Sequence, residues 1–182
     1  MTGYIAFLRG INVGGHKIVK MEDLNAVFLS CGLKKVKTFI QSGNVIFEAS
    51  STNSSTLTKK IEKSLQKSLG YDVPVLLRTI SELAELVKSD PFKKIKVAAD
   101  AGKYVTFLAE EPKSKPSLPF FSPKKDVEVF YMRGLDIFCL AYKIDGKSGF
   151  PNAIVEKQFG VSATTRNWNT ISKIVLQAAE RD

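Results

Sequence analysis

The sequence predicts an α+β fold in which an N-terminal ferredoxin-like βαββαβ subdomain packs against a second, smaller α+β subdomain. Strand and helix patterns follow the order βαββαβ over residues 1–79, which is typical of the ferredoxin-like unit. Further strand and helix patterns fill residues 80–182. The composition, 44% hydrophobic and 25% charged, is that of an ordinary globular chain. We therefore predict subdomains at residues 1–79 and 80–182.

Each element of the first subdomain has its own sequence signal. Apolar runs bounded by turn residues predict strands, and apolar residues three or four apart predict helices. Gly32 and Gly70 suit the ends of those helices. The predicted elements are a strand at 4–9, a helix through 24–31, strands at 36–41 and 44–48 joined by a turn at 42–43, a helix at 57–69 and a strand at 73–78.

The second subdomain is predicted to begin with a helix, because Thr79 and Glu82 have the spacing of a capping box. The last helix is predicted to bury Trp168, with Thr165 as a candidate N-cap. Between them we predict strands at 104–109, 127–132 and 135–142, and a helix between residues 151 and 160. The proline-rich segment 112–123 is predicted to be a semi-rigid loop.

The charge balance favours anionic partners. The chain has 27 Lys and Arg against 18 Asp and Glu, a net charge of +9. Such a balance suits nucleic acid, nucleotides or acidic surfaces, although spread lysines also decorate solvated surfaces without any partner. The excess is spread along the chain rather than gathered in a tail.

The remaining composition predicts a cytoplasmic protein. The two cysteines, Cys31 and Cys139, belong to no CxxC pair, which indicates a reducing compartment. We find neither a signal peptide nor an apolar run long enough to span a bilayer, so we expect no membrane partner. Both cysteines lie in apolar patterns and are interpreted as core residues rather than nucleophiles.

Two polar loops are predicted to lie at the same edge of the first sheet. The ferredoxin-like order 4-1-3-2 places the end of strand 1 and the turn before strand 3 at that edge. The loop after strand 1 carries Arg9 to Lys17, and the turn carries Gln41 to Asn44. Glycines with convergent polar groups are what a ligand cleft needs, because they allow close backbone approach.

The loop after strand 1 is not a nucleotide-triphosphate P-loop. Gly10 and Gly15 have its GxxxxG spacing, but His16 stands where the lysine should follow and Ile18 follows Lys17. A looser anion cradle built from backbone N–H groups stays open beside a purely structural turn.

His16 is the only histidine, which excludes several chemistries. No zinc site with two histidines can form, and we expect no metal and no cofactor. A pair of Ser42 with His16 is conceivable, yet Ser42 does not sit in a G-x-S-x-G elbow. If the protein is an enzyme, which the sequence leaves open, His16 is the only candidate proton-transfer group.

A second polar stretch opens the last predicted helix. Packing and capping leave Arg166, Asn167, Asn169 and Thr170 without a role. They either hold an anion at the helix N-terminus or form a capping network. We predict that this stretch meets the two N-terminal loops and forms one site with them.

RNA recognition by an open sheet face is disfavoured. That module needs exposed aromatic residues on the strands that would carry Phe7 and Phe47. Residues 4–8 and 45–47 are instead apolar on both alternating faces, which predicts a sheet covered on both sides.

The polar signatures also support a family resemblance. The chain resembles the bacterial domain-of-unknown-function family 1697 along nearly its whole length. The resemblance implies a small bacterial cytosolic protein with two α+β subdomains, and it implies no activity, cofactor or catalytic residue. It is carried by residues 8–15, by Met21 and Leu24, by residues 38–47 with the segment Gln41-Ser42-Gly43-Asn44, and by residues 163–170.

The leading hypothesis is binding of a small anionic ligand, such as a nucleotide or phosphorylated metabolite, in a cleft between the subdomains, with turnover of that ligand left open. The alternatives are sequence-tolerant nucleic-acid binding through the spread lysines and a structural interaction module without a ligand. The predicted ligand-binding residues are Arg9, Asn12, Gly14, Gly15, His16, Lys17, Gln41, Ser42, Asn44, Arg166, Asn167, Asn169 and Thr170.

Overall fold

The computed structural model describes residues 1–40, 42–50 and 53–180. The chain divides into two compact units, residues 1–85 with 174–182, and residues 86–173. The sequence analysis placed the whole C-terminal part of the chain in the second subdomain, whereas residues 174–182 belong to the first unit of the structure. The division into subdomains at residues 1–79 and 80–182 stays a prediction.

The first unit contains the predicted ferredoxin-like sheet. Its strand order is β2-β3-β1-β4, with β1 antiparallel to both β3 and β4, which is the predicted order 4-1-3-2. Helix α2 begins after Asn53, whose Oδ1 accepts a hydrogen bond from Ser55 N, and ends at Gly70 with φ +79°. The elements are β1 (Thr2–Leu8), α1 (Met21–Ser30), β2 (Lys34–Phe39), β3 (Asn44–Ala49), α2 (Ser54–Leu69) and β4 (Val75–Thr79), followed by α3 (Ile80–Ser89).

Both faces of β1 are buried. Tyr4, Ala6 and Leu8 join the core cluster that α1 and α2 complete, and Ile5 and Phe7 on the opposite face have no exposed surface. Alternate residues of a strand point to opposite faces, so neither face of this strand is open to solvent. The sheet therefore lacks, among its described residues, the exposed strand-1 aromatic that an RNA-recognition motif uses.

The predicted capping box opens α3. Thr79 N donates to Glu82 Oε2 at 2.7 Å, and Glu82 N donates to Thr79 Oγ1 at 3.1 Å. This reciprocal pair uses two backbone donors that the first helical turn leaves without intrahelical acceptors. The sequence signal for this helix start is thus confirmed.

The second unit is built around a five-stranded antiparallel sheet in the order β11-β5-β8-β7-β6. One face packs on the short helix α4 through Val155 and Phe159. Trp168 is buried and its ring lies 5.2 Å from that of Phe92 and 5.9 Å from that of Phe138. The elements are a 3-10 helix (Pro91–Lys94), β5 (Gly102–Leu108), β6 (Phe120–Phe121), β7 (Val127–Arg133), β8 (Asp136–Ala141), β9 (Lys143–Ile144), β10 (Lys147–Ser148), α4 (Asn152–Phe159), β11 (Ala163–Asn167) and α5 (Trp168–Ala179).

The prediction that Thr165 caps the last helix is wrong. Residues 163–167 form β11, which pairs with β5 so that Thr165 lies opposite Thr106. Threonine is β-branched and packs well on a pleated sheet, so tertiary pairing decides its conformation here. The capping role falls to Asn167, whose Oδ1 accepts from Asn169 N at 2.9 Å.

Candidate functional site

Three loops of the first unit meet at one edge of its sheet. Leu8 N donates to Gly43 O at 2.8 Å, and Arg9 N donates to Pro74 O at 2.9 Å. The loop after β1 is therefore joined to the β2–β3 turn, as the sheet order predicts, and also to the segment before β4. We call these segments, residues 9–20, 40, 42–43 and 70–74, the edge loops.

Gly43 allows the closest of these approaches. Its φ is +76°, and a Cβ placed on it would lie 2.9 Å from Ile11 Cδ1 and 3.0 Å from Leu8 Cβ. Ile11 is itself buried. A side chain at position 43 would meet both the left-handed backbone penalty and this contact, so glycine is required for the two loops to join.

The loop after β1 folds into a small hairpin at its tip. His16 N donates to Val13 O at 3.0 Å, and Gly14 and Gly15 between them have φ values of +58° and +78°. Positive φ at both central residues is what a type I′ turn requires. Both glycines are exposed, and a Cβ at either would meet nothing within 4 Å. Their conformation is thus explained by the turn, and their contact with a ligand stays a prediction.

Asn12 closes the base of this hairpin. Its Oδ1 accepts from Val19 N at 2.8 Å, and its Nδ2 donates to Val19 O at 3.2 Å. Its φ of +54° lies in the left-handed region that asparagine tolerates better than most residues. The sequence predicted Asn12 to contact a ligand, and the structure gives its amide a role in holding the loop.

Asn44 has a corresponding role in the neighbouring turn. It is fully buried, and its Nδ2 donates to Phe39 O at 3.1 Å and to Ser42 Oγ at 2.8 Å. These bonds tie both sides of the turn to the start of β3. Ser42 is exposed, so its hydroxyl is held at the surface of the edge loops. Gln41, another predicted ligand residue, lies outside the described residues.

The edge loops concentrate positive charge. They contain Arg9, Lys17 and Lys20 together with His16, and Asp72 is their one acidic residue, so three basic against one acidic side chain gives +2 without the histidine. Arg9 is half-buried, while His16 and Lys17 are exposed. Such a surface attracts anions, and the attraction falls as ionic strength rises.

Tyr71 is a site residue that the sequence reasoning missed. Lys17 Nζ lies 4.9 Å from the centroid of the Tyr71 ring, which is half-buried. A ring face attracts an ammonium group and limits where it can move. The predicted sheet order already contained the signal, because it places the start of β4 beside the end of β1.

Arg166, the first residue of the second polar stretch, lies in the buried strand β11 and not at an exposed helix end. Arg166 Nη1 donates to Thr164 Oγ1 at 2.8 Å and to Thr165 O at 2.9 Å. Burial lowers the pKa of Arg166 to about 10, so the guanidinium stays charged at neutral pH. Because a buried cation is costly unless hydrogen-bonded, these contacts are part of what makes the strand stable.

A hydrogen-bonded network extends from this strand across the sheet. Thr165 Oγ1 lies 2.8 Å from Thr106 Oγ1 and donates to Asn152 Oδ1 at 3.0 Å. Burial raises the pKa of the Cys139 thiol to about 12, although a hydrogen bond with Thr106 acts in the opposite direction. Cys139 is therefore a protonated core residue, which agrees with its interpretation from sequence.

The other predicted residues of this stretch differ in exposure. Asn167 and Asn169 are exposed at the start of α5, and Thr170 is half-buried in its first turn. Arg166 belongs to the second unit and the edge loops to the first. The predicted meeting of Arg166 with Asn12 and Asn44 stays a prediction.

In the described ranges 1–40, 42–50 and 53–180, no three His, Cys, Asp or Glu side chains form a group that could hold a metal ion. The larger of two open depressions on the first unit, of about 820 Å³, is lined by residues outside the edge loops, such as Ser30 and Lys67. The smaller, of about 300 Å³, is lined by residues of α2, such as Lys63, together with Asp72 and Pro74 of the edge loops. No helix in the described part of the chain is both long and apolar enough to cross a bilayer.

Comparisons with known proteins agree with the fold. A solved structure described as "conserved bacterial protein SP0830 from Streptococcus pneumoniae" matches with a TM-score of 0.70 and 23% sequence identity, over 97% of this chain and 98% of that chain. No curated protein matches the chain in sequence. The family described as "Protein of unknown function (DUF1697)" matches residues 1–138, which include all the edge loops. The chain belongs to the DUF1697 family.

Proposed function

We propose that the protein binds a small anionic ligand, a nucleotide or phosphorylated metabolite, at the edge loops. One observation carries this proposal: backbone hydrogen bonds join three loops that bear Arg9, His16 and Lys17 and only one acidic residue. A fold does not gather basic side chains at one sheet edge for stability, because like charges repel one another there.

Contacts within the chain hold the described residues of the edge loops. Asn12 and Asn44 hold the hairpin and the turn through their amides, and Tyr71 restrains the Lys17 ammonium. Binding to a preorganised site avoids the entropic cost of ordering loops at that moment. Arg9 supplies planar N–H donors that match two phosphate oxygens, and Lys17 supplies a point charge.

The proposal also assigns His16 a role should turnover occur. His16 is exposed on the hairpin, and imidazole is the side chain suited to proton transfer near neutral pH. In that case His16 would exchange a proton with the bound ligand, while Arg9 and Lys17 hold its negative charge.

Amide NMR titration tests the proposal directly. We would add inorganic phosphate and pyrophosphate to ¹⁵N-labelled protein and expect saturable shifts of the Gly10, Gly14 and Gly15 amides. The variant Arg9→Gln combined with Lys17→Gln should weaken pyrophosphate binding about a hundredfold, because each of the two lost charge-assisted hydrogen bonds is worth about 1.5 kcal/mol or more.

A matched control separates the site from general charge. Lys34→Gln combined with Lys60→Gln removes two exposed lysines, at the start of β2 and on α2, away from the edge loops, and should leave the pyrophosphate affinity unchanged. Equal losses in this control and in the variant of Arg9 and Lys17 would indicate non-specific attraction. The absence of any shift up to about ten millimolar of either probe, a Kd range too weak to matter for a metabolite, would favour a structural module without a ligand.

A further inference from the structure

The edge loops expose aliphatic side chains beside their cations. Val13 is 64% exposed, Ile18 is 74% exposed and Ile40 is 51% exposed. Val13 and Ile18 flank the hairpin on either side of its tip, and Ile40 lies in the turn to which this loop is joined. Single exposed aliphatic residues are ordinary. Here three exposed aliphatic residues lie on loops that are joined at Gly43, so together they characterise this edge of the sheet.

Ile40 is also held in an unfavourable backbone conformation. Its φ is +49°, in the left-handed region where a β-branched residue is a genuine outlier. The buried Asn44 amide bonds Phe39 O on one side of Ile40 and Ser42 Oγ on the other, so the turn imposes this conformation. This backbone conformation costs folding stability at an exposed β-branched residue, and strain of this kind gathers at functional sites.

We infer that the anionic ligand is a nucleotide, whose base lies against these aliphatic side chains while its phosphate meets Arg9 and Lys17. The inference rests on the proposed function and selects one of its two ligand classes. Binding sites combine apolar surface with a few placed polar groups. A nucleobase is planar with two apolar faces, whereas the sugar of a sugar phosphate presents hydroxyl groups in all directions and gains little from aliphatic contact.

A matched pair of probes isolates the contribution of the base. Adenosine 5′-monophosphate and ribose 5-phosphate share the ribose and the phosphate and differ in the adenine. We expect adenosine 5′-monophosphate to bind at least tenfold more tightly in amide NMR titrations, with shifts at the amides of Val13, Ile18 and Ile40 that ribose 5-phosphate does not produce.

The variant Ile40→Asn removes the aliphatic surface without harming the turn, because asparagine tolerates the left-handed conformation. It should lower the affinity for adenosine 5′-monophosphate towards that of ribose 5-phosphate, with the ribose 5-phosphate affinity unchanged and the melting temperature equal or higher. Leu29→Ser is the control, since Leu29 is equally exposed at 51% and lies on α1.

The outcomes separate this inference from the proposed function. Equal affinities for the two probes would overturn the inference and leave anion binding intact. Tighter binding of adenosine 5′-monophosphate that Ile40→Asn does not reduce, or that Leu29→Ser reduces equally, would also overturn it, because the base would then lie elsewhere. No binding of either probe would remove both the inference and the proposed function.

Discussion

The hairpin loop after β1 and the strand β11 are both rich in polar residues, yet the fold uses them in opposite ways. Residues 13–18 are exposed, and their conformation is set by backbone bonds and glycines. Residues 163–166 are buried, and their polar atoms form ladder bonds with β5 and a side-chain network. Polar density in a sequence therefore does not distinguish a surface site from a satisfied core network.

The difference has a physical basis in the requirement for hydrogen-bond partners. A buried polar atom must find one, whereas an exposed atom has water. Thr165 finds Thr106 and Asn152, so its polarity is explained by packing alone. Lys17 and His16 lie at the surface, so their polarity is not explained by buried partners. For this reason we place the proposed site at the edge loops.

The largest expected effect concerns the thiol next to the β11 network. With a pKa of about 12 against an ordinary 9.0, Cys139 should hold roughly a thousandfold less thiolate at pH 8 than an exposed cysteine. Ellman's reagent should thus not label Cys139 in the folded protein. Because folding raises this pKa, the stability it contributes is complete below pH 9 and is lost as pH rises towards 12.

Rapid labelling of Cys139, traced by mass spectrometry of its peptide, would contradict this view of the second unit. Protein unfolded in urea, where both thiols should react, serves as the control. Cys31, which is buried directly after the end of α1, provides a comparison within the same sample.

The next largest expected effect is the loss of folding stability when Arg166 is replaced. Arg166→Ala should destabilise the protein by about 3 to 4 kcal/mol, because it leaves a cavity and removes the partner of Thr164. Arg166→Met should cost less than about 1 kcal/mol of stability. Methionine fills the same space with an apolar chain, and the protein no longer has to bury a charge, which offsets the loss of the hydrogen bonds. Urea unfolding midpoints measure both.

The same methionine variant tests whether the two ends of the chain form one site. If Arg166 meets the ligand, Arg166→Met should lose pyrophosphate affinity while keeping its stability. Unchanged affinity would limit Arg166 to the core of the second unit. Equal destabilisation by methionine and alanine would show that its hydrogen bonds outweigh the cost of burial.

Two glycines of the edge loops should differ in a predictable way. Gly43→Ala should cost about 2 to 3 kcal/mol, because the new Cβ meets Ile11 and the backbone is left-handed. Gly14→Ala faces the backbone penalty alone and should cost about 1 kcal/mol. Thermal unfolding of the pair measures the difference, and equal losses would mean that Ile11 moves aside freely.

The smallest effect is expected for single-stranded nucleic acid. The exposed lysines lie on separate elements, such as Lys37 on edge strand β2 and Lys60 on α2, and lysine on an edge strand commonly prevents sheet-to-sheet association. We expect a log–log salt slope flatter than about −1. A slope of about −3 or steeper would indicate several phosphate contacts and would revive the nucleic-acid hypothesis.

Much of the first unit was predictable because its signals are local. The capping pair Thr79 and Glu82, the helix end at Gly70 and the alternation of apolar strands each follow from a few neighbouring residues. The strand order followed from the order of those elements. That order predicts the approach of the loop after β1 to the β2–β3 turn, and it also implies the place of Tyr71 before β4.

The sequence by itself determined the ferredoxin-like sheet, its order and the approach of two polar loops at one edge, because periodicity and turn residues act over short distances. Only the tertiary structure decided that Asn12 and Asn44 hold loops and that residues 163–167 form a strand. In each case the partner is remote in sequence or a backbone atom: Thr165 pairs with Thr106 fifty-nine residues away. A side chain's capacity to hydrogen-bond is visible in the sequence, but the choice between a ligand, a loop and a neighbouring strand depends on which groups folding brings within reach.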